Sequence, residues 1–587
     1  MSDNEREIRS VLYIDIGSVN TRVCLFDKNE NHFSFHAAAS AKTSYQQPDR
    51  SEYLGIVEAV AKLERATKRK FLDKNQNLIM PMALDGTGID QVAASFSCVE
   101  DPRVAIMGLT QQASSANLRT LLAYTGLVPS VEINADDGDK ISDQLDALLT
   151  LSPRIVLLAG GKDGGAEKAV YRLGETLMLA CRSLPREQRP LILFLGNSVA
   201  AEQVEQVLSR LTEVSSAANV IEAGSGIDSS INGLVNLLRR DAEMMAPGIR
   251  TLREKTKSSV VPGAFAFGRS IRLMSRLIRR NQYVLGIDIG ARRTISAVSR
   301  NLQLQMRTLS VGLGSGIREA AERIPLAKIQ SWISYQIKTD EIRDYILNKS
   351  FYPDLIPANH YSAEIEHAIA RCILQECKHA SKLDEGCERG SLSTMLLSGA
   401  LLRNVEDPAD ALRIGMDSMV AAGSVDYLLD MNGLSHAIGV LAHVNPELTS
   451  QIMNVSTYLS LGKVIRPVYN HDLKHKSLLT ISLRDDAGNV RQYEVPPGRI
   501  YRIPLELGKN YELNFVKVAR GVTVPGVKTW TPLGFKSGCL GLVFDCRKVR
   551  DGVLVTSKDR AMQIALLEEW KETLGKWTGA EKEPGNE

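Results

Sequence analysis

The 587-residue sequence predicts an α/β protein built as two lobes with a small β domain at the C-terminus. Three observations predict it. A strand ending in Ile-Asp-Ile-Gly, followed by a polar turn and a returning apolar strand, occurs twice, at 11–27 and again from 284. Between about 100 and 225, apolar strands ending in Gly alternate with helical stretches, which implies parallel strands with crossover helices. From about 465 the pattern turns to short strands punctuated by Asp485-Asp-Ala-Gly488 and Pro496-Pro-Gly498 turns. The expected domains are 1–282, with the α/β region inside it, 283–464, 465–557, and a closing helix and tail at 558–587.

The first hairpin reads Val11-Leu-Tyr-Ile-Asp15-Ile-Gly17-Ser18-Val-Asn20-Thr21-Arg22. The second reads Val284-Leu-Gly-Ile-Asp288-Ile-Gly290-Ala291-Arg292-Arg293-Thr294. The apolar, β-branched run into each Asp suits a buried strand. Gly17 and Gly290 permit a sharp turn and let backbone N–H groups approach an anion. Ser18 and Thr21 carry hydroxyls able to donate to phosphate oxygens. Asp15 and Asp288, at strand ends, can hold water around a Mg²⁺ shared with phosphates. The pair of hairpins is expected to share one cleft.

Residues 53–69 read as an amphipathic helix with Leu54, Val57, Val60, Ala61 and Leu63 on one side. Strands are expected at 104–108, 154–160 and 191–196, and a helix at 118–124. The loop Gly160-Gly-Lys162-Asp163-Gly-Gly165 lies at the carboxyl end of a parallel strand, where open α/β sheets bind ligands. It lacks the Walker ending, and it reads either as a ligand or partner loop or as a flexible connection. Residues 226–282 read as mainly helical. They include the basic segment Arg269–Arg280, with Ile271, Met274, Leu277 and Ile278 on one face: a docked helix with a solvated basic side, or a docking face for an acidic partner. A helix at 361–383 precedes Thr394-Met-Leu-Leu-Ser398-Gly399-Ala400, a strand entering a small-residue turn where a purine and ribose would fit. The last third carries short strands at 478–483, 491–495, 500–503, 511–516 and 540–544, and a closing helix at 559–575.

Composition narrows the function classes. A net charge of +3, with 44% hydrophobic and 24% charged residues, gives no reason to expect nucleic acid as a partner. No apolar run reaches the roughly 20 residues needed to span a bilayer, and the N-terminus is polar, without a secretory apolar core. The eight cysteines form no zinc-like pair. Cys372, Cys377 and Cys387 lie near His367 and His379, but the spacing matches no standard ligand set. Buried, reduced thiols in a cytoplasmic protein are the expectation.

Taken in order, the motifs resemble the MutL or GlmL family of glutamate mutase accessory proteins, which is unrelated to the mismatch-repair protein of similar name. The resemblance rests on 15–22, on Leu158–Gly165, on Leu195-Gly196-Asn197 and on Asp288-Ile-Gly290. It continues through Arg307-Thr308, Ser398-Gly399, Leu429-Asp430, Ala437-Ile-Gly439-Val-Leu and Gly538–Arg547. It implies the two-lobed actin-like ATPase fold of the actin, sugar-kinase and heat-shock-chaperone superfamily. It further implies ATP with Mg²⁺ as cofactor, and an accessory or reactivating role beside cobalamin-dependent mutases, with a mutase subunit as protein partner. On this resemblance Asp15 and Asp288 would be the catalytic carboxylates. Gly17, Ser18, Asn20, Thr21, Arg22, Gly290, Arg292, Arg293 and Thr294 would line the phosphates, and Ser398, Gly399 and Ala400 the base.

The departures point the other way. The family's second loop reads approximately Asp-Ile-Gly-Gly-Ala-Thr-Thr-Asp. Here Ala291 adds a methyl, and the last acidic position is Ile295, which cannot orient water. Ser310-Val-Gly-Leu-Gly314 lacks the family's carboxylates, and the base-binding Gly-Gly has become Gly399-Ala400. Phosphoryl transfer depends on positioned metal and water. The expectation is therefore an accessory or scaffold protein with weakened or lost ATPase activity. The alternatives are a working ATPase in which Arg292 and Arg293 supply the lost stabilisation, and a nucleotide-independent interaction scaffold.

Overall fold

The computed structural model describes residues 7–44, 51–222, 227–278, 282–380, 390–453, 457–471, 476–550, 553–554, 557 and 559–577. The chain divides into two units: Met1–Gly268 with Gln305–Arg307 and Gly439–Leu448, and Arg269–Leu304 with Thr308–Ile438 and Thr449–Glu587.

In the first unit, strands β1 (Ser10–Ile16), β2 (Asn20–Asn29) and β3 (His32–Lys42) form an antiparallel meander. Strand β4 (Gln91–Phe96) runs parallel beside β1. The chain then leaves for an inserted layer of five parallel strands: β5 (Val104–Gly108), β6 (Val131–Asn134), β7 (Ile155–Leu158), β8 (Leu191–Phe194) and β9 (Val214–Ser216). It returns as β10 (Ser259–Pro262), parallel to β4. The order of the first sheet is thus β10-β4-β1-β2-β3, and that of the insert β6-β5-β7-β8-β9. Strand β10 lies inside the stretch expected to be helical. It is only four residues long and sits between the helices Pro247–Thr256 and Gly263–Leu277, so no periodicity marks it.

Strand β1 is central and apolar, and Val11, Leu12, Ile14 and Ile16 are fully buried. The helix Glu52–Thr67 covers this sheet with Tyr53, Ile56, Ala59, Val60 and Leu63; Leu54 points to solvent instead. In the insert, Val104 and Ile106 pack on one face, and Ala105 and Met107 on the other. Burial on both faces is what parallel strands with helices on each side require.

The second unit repeats the arrangement. Strands β11 (Tyr283–Ile289), β12 (Thr294–Arg300) and β13 (Gln303–Leu309) form the meander. Strands β14 (Leu392–Gly399) and β15 (Gly423–Leu429) follow in parallel. The order β13-β12-β11-β14-β15 matches the first sheet strand for strand. This sheet continues through β16 (Leu459–Arg466). Beyond it come β17 (Leu479–Asp485), β18 (Val490–Val495), β19 (Ile500–Ile503), β20 (Asn510–Val518), β21 (Leu533–Lys536) and β22 (Leu542–Asp545).

Strands β18-β17-β20-β21 make a separate antiparallel sheet, while β22 and β19 add to the large one after β16. The strands expected to form a small separate domain therefore divide between two sheets, and 449–587 belongs to the second unit. Asp485–Gly488 is a hairpin turn, closed by the Gly488 N–H donating to the Asp485 carbonyl at 3.0 Å. Pro496–Gly498 is not one. It carries the chain from one sheet to the other, and the Gly498 N–H donates to the Cys546 carbonyl at 3.1 Å.

The basic helix ends at Leu277. Ile271 and Met274 are buried, Leu277 is exposed, and Arg279 and Arg280 lie outside the described residues. Cys387 and the tail from 578 also lie outside them. Cys372, Cys377 and His367 are buried side chains of the helix His360–Ala380. Burial pushes both thiols up to about 12 and His367 down to about 3.

A buried ion chain closes the second unit. Asp545 on β22 takes a paired contact from Arg547, at 2.8 Å to each oxygen, and also meets Arg466. Arg547 reaches on to Asp417 at 2.7 Å, and Asp417 to Arg371 at 2.8 Å. All five side chains are buried. The closing helix Arg560–Leu574, capped by Asp559, places Trp570 against Arg547.

Candidate functional site: two equivalent aspartate turns

Each hairpin has the same register. Asp15 lies opposite Arg22 and Ile16 opposite Thr21; Asp288 lies opposite Ile295 and Ile289 opposite Thr294. The Gly17 N–H donates to the Asn20 carbonyl at 3.1 Å, and the Gly290 N–H to the Arg293 carbonyl at 2.9 Å. A Cβ at either glycine would press on that same carbonyl. The glycines are therefore required by the turn itself, before any ligand is considered.

In the first turn, the Ser95 hydroxyl on β4 donates to Asp15 Oδ1 at 2.9 Å, and Tyr13 hydrogen-bonds Ser95 at 2.6 Å. Because Ser95 gives its proton to Asp15, Tyr13 must donate to Ser95. This relay fixes one oxygen of a half-buried carboxylate and leaves the other as an acceptor. The backbone N–H groups of Ser18 and Val19 donate to no backbone acceptor among the described residues. An unclaimed pair of N–H groups beside a fixed carboxylate suits phosphate with a hydrated cation. Asn20 is exposed and Arg22 half-buried. Thr21, expected to face phosphate, is fully buried and pairs with Thr43 at 2.9 Å. It is the first buried residue of β2, so its side chain points into the core.

In the second turn, Asp288 is buried, with His436 Nε2 3.9 Å from Oδ2. Thr294 is buried and donates to the Val311 carbonyl at 2.9 Å, so it too serves the fold. Ile295, where an acidic residue was looked for, is a core side chain only 3% exposed. Arg292 and Arg293 are half-buried. The glycine-rich run after β13 clasps the turn: the Leu313 N–H donates to the Gly290 carbonyl at 3.0 Å, and the Gly314 and Gly316 N–H groups to that of Ala291 at 2.8 and 2.9 Å. A Cβ on Gly314 would sit 2.8 Å from the Ala291 methyl and 3.1 Å from the Pro353 carbonyl. Glycine is needed because the Ala291 methyl and the Pro353 carbonyl leave no room for a side chain.

Ser398 pairs in register with Asp288, as Ser95 does with Asp15. It is buried, and its hydroxyl faces Asp430 at 3.3 Å. Asp430, fully buried, accepts from the N–H groups of Leu434 and Ser435 and from the Ser435 hydroxyl at 2.6 Å. It thereby caps the helix Ser435–Val444 that carries His436. Gly399 has φ +115°, and a Cβ there would overlap the Ile289 backbone. Its smallness is explained by β11 rather than by a flat base. Ala400 is exposed and opens a short helix.

Sequence reasoning missed Ser95, Asp430 as a cap, and His436. Asp430 lies inside a quoted motif; Ser95 and His436 carry no local signal, since only the strand pairing and the cap place them. The loop 160–165 is pinned at Asp163 and Gly164, while the Nδ2 of the buried Asn197 beside it has no hydrogen-bond partner among the described residues. The Gly164 N–H donates to Asn197 Oδ1 and the Asp163 N–H to Glu222, while Asp163 accepts from Ser198 and Asn219. Those donors hold the Asp163 carboxyl below its ordinary range.

A mixed α/β chain in which one five-strand order and one aspartate turn recur in two units defines a duplicated fold of the actin-like ATPase class. The chain belongs to the MutL protein family, whose pattern it matches over residues 11–457. It is also similar to three solved proteins. The nucleotide-free acetone carboxylase matches at 11% identity over 83% of this chain and 81% of that one, TM-score 0.30. A nucleotide-free diol dehydratase-reactivating factor matches at 10% over 74% and 100%, TM-score 0.31. Component A of (R)-2-hydroxyglutaryl-CoA dehydratase from Acidaminococcus fermentans matches at 8% over 74% and 97%, TM-score 0.27. No match was found among curated proteins. Among the described residues no helix is long and apolar enough to cross a membrane.

Proposed function

We propose that this protein is a cytoplasmic accessory or scaffold protein of the MutL type, acting beside a cobalamin-dependent mutase, with weak or lost ATPase activity. Membership of the MutL family supports the accessory role. The observation that carries the weak-ATPase reading is Ile295: the position cross-strand from Asp288 is buried hydrocarbon, so no side chain there positions an attacking water.

ATP with Mg²⁺ is the ligand proposed for the turns. Asp15 would hold metal-bound water through its second oxygen, with the Ser18 and Val19 N–H groups on phosphate. The metal would supply charge neutralisation of the phosphates. The chain's own part is to fix that carboxylate through Tyr13 and Ser95. In the second turn, the clasp of Leu313, Gly314 and Gly316 holds the Gly290–Ala291 backbone in place without adding a carboxylate.

Calorimetric titration with ATP and Mg²⁺, paired with a phosphate-release assay, tests this reading. The expected result is binding that Asp15→Ala weakens at least about tenfold, roughly 1.4 kcal/mol, with negligible steady turnover. Efficient turnover abolished by Asp15→Ala would reject the weak-ATPase reading. A sharp fall in turnover on Arg292→Ala or Arg293→Ala would favour a working ATPase.

A further inference from the structure

The inserted sheet of the first unit has the order β6-β5-β7-β8-β9, with every pair parallel. That order reverses between β5 and β7. The helix Ala116–Ala123 after β5 packs on one face through Leu118, Leu121 and Leu122. The helix Glu167–Ser183 after β7 packs on the other through Val170, Leu173 and Leu177. The chain thus departs in opposite directions at the carboxyl ends of these two strands, which is where open sheets of this order take ligands. The loop Gly160–Gly165 stands at that point, and a Cβ on Gly161 would lie 3.3 Å from the Leu109 side chain at the end of β5.

Two helices begin at this edge, and they are capped differently. At the helix Ser198–Leu208, Asn197 Oδ1 accepts from the Val199 N–H at 3.0 Å and Asp163 Oδ1 from the Ser198 N–H at 2.8 Å. The helix Glu167–Ser183, 17 residues long, starts from Ala166 with no side-chain cap. The N–H groups of Ala166, Lys168 and Ala169 donate to no acceptor among the described residues, and neither do those of Gly161 and Lys162. A helix start of this kind offers free donors and partial positive charge.

A buried donor at the same place calls for an acceptor. Asn197 is fully buried, and its Oδ1 takes the Gly164 N–H as well as that of Val199, each at 3.0 Å. These two bonds fix the amide and leave Nδ2 as its free end. The Asn197 N–H donates to the Gly160 carbonyl at 2.7 Å. The side chain therefore lies under the arch from Gly160 to Gly164, where Nδ2 meets no acceptor among the described residues. The arch covers that donor, and its glycines let it lift to admit an oxygen. Lys162 and Lys168 are exposed beside it. The carboxylate of the loop, Asp163, is committed to Ser198 and Asn219. Free N–H groups, two lysines and a buried amide donor select an oxyanion. We propose that the arch and the start of the helix Glu167–Ser183 form a phosphate-binding site, distinct from the aspartate turns. Its ligand is inorganic phosphate or the phosphate end of a small ester. The phosphate oxygens lie on the Ala166, Lys168 and Ala169 N–H groups, with Asn197 Nδ2 presented from beneath. A Cβ on Gly164 would meet nothing within 4 Å, so the outer side is open to whatever the phosphate carries.

Calorimetric titration of the full chain with inorganic phosphate, without Mg²⁺ or nucleotide, tests this. The expected result is one site with Kd below about 1 mM. Ala166→Asp places a carboxylate at the uncapped N-cap, where it takes the same donors. It should weaken phosphate at least about tenfold, hold or raise the melting temperature, and leave the affinity for ATP with Mg²⁺ unchanged. Lys162→Ala/Lys168→Ala should weaken phosphate several-fold. A parallel titration with glycerol 3-phosphate separates the two sources: tighter binding than inorganic phosphate assigns the site to an ester, equal or weaker binding to the free ion, and either supports the proposal. A wild-type chain that binds no phosphate up to about 10 mM overturns it. So does binding that Ala166→Asp leaves intact, and so does binding that Asp15→Ala abolishes, which would place the ion at the aspartate turn.

Discussion

At the residue scale, several motif positions owe their identity to packing that is visible only in three dimensions. Gly439 on the helix Ser435–Val444 lies against Ala266 so closely that a Cβ would overlap its carbonyl oxygen. Gly439→Ala should therefore destabilise the first unit by about 1–3 kcal/mol despite alanine's higher helix propensity; urea unfolding will show whether the midpoint falls. Asp241 offers a test of charge. It is 2% exposed, Arg154 lies 3.1 Å from one oxygen, and the other has no partner. Burial raises its carboxyl to about 6, against the opposing pull of Arg154. An acid that binds its proton more tightly when folded favours the folded state at low pH. Its stabilising contribution is full below the unfolded value of about 4 and is lost as pH rises through about 6. Asp241→Asn should flatten stability between those pH values and cost nothing at pH 7.5. A steeper profile in the variant would contradict this.

At the element scale, the segment Gly538–Arg547 ties the end of the chain into the second unit. Arg547 stands between two buried aspartates. Arg547→Met would leave Asp417 and Asp545 with less compensation than charge burial demands. The expected loss is about 3–5 kcal/mol, read as a lower denaturation midpoint. Arg547→Lys should recover only part of it, because an ammonium cannot make the forked contact. The motif Asp545-Cys-Arg547 stands out in the sequence, but its partners Asp417 and Arg371 lie 130 and more residues away, beyond the reach of local pattern. The elements read best from sequence were those with strong apolar runs: β5 and β19 fall on their expected residues. Strand β10 was hidden because four residues between two helices show no period of their own. The helix Glu52–Thr67 was found, but its buried face was placed about one residue off, because Tyr53 and Ile56 turn inward where Leu54 and Val57 were expected.

At the scale of the whole molecule, the duplication was the legible fact. Two Ile-Asp-Ile-Gly strings foretold two sheets that share a five-strand order, because the same strand, turn and return strand seed the same meander. The β strands of the last third gave their positions but not their allegiance. Nothing in an alternating pattern says which sheet a strand will join, and β19 and β22 extend the large one. The turn residues were legible as types and illegible as orientations: Thr21, Thr294 and Ser398 face inward, on ladder positions that only the register reveals. One more consequence follows from the glycine sandwiched by Ala291 and Pro353. A side chain at 314 would have to push aside either the Ala291 methyl or the loop at Pro353. Gly314→Ala should therefore loosen the second aspartate turn at a cost of about 1–3 kcal/mol, read as a lower urea midpoint.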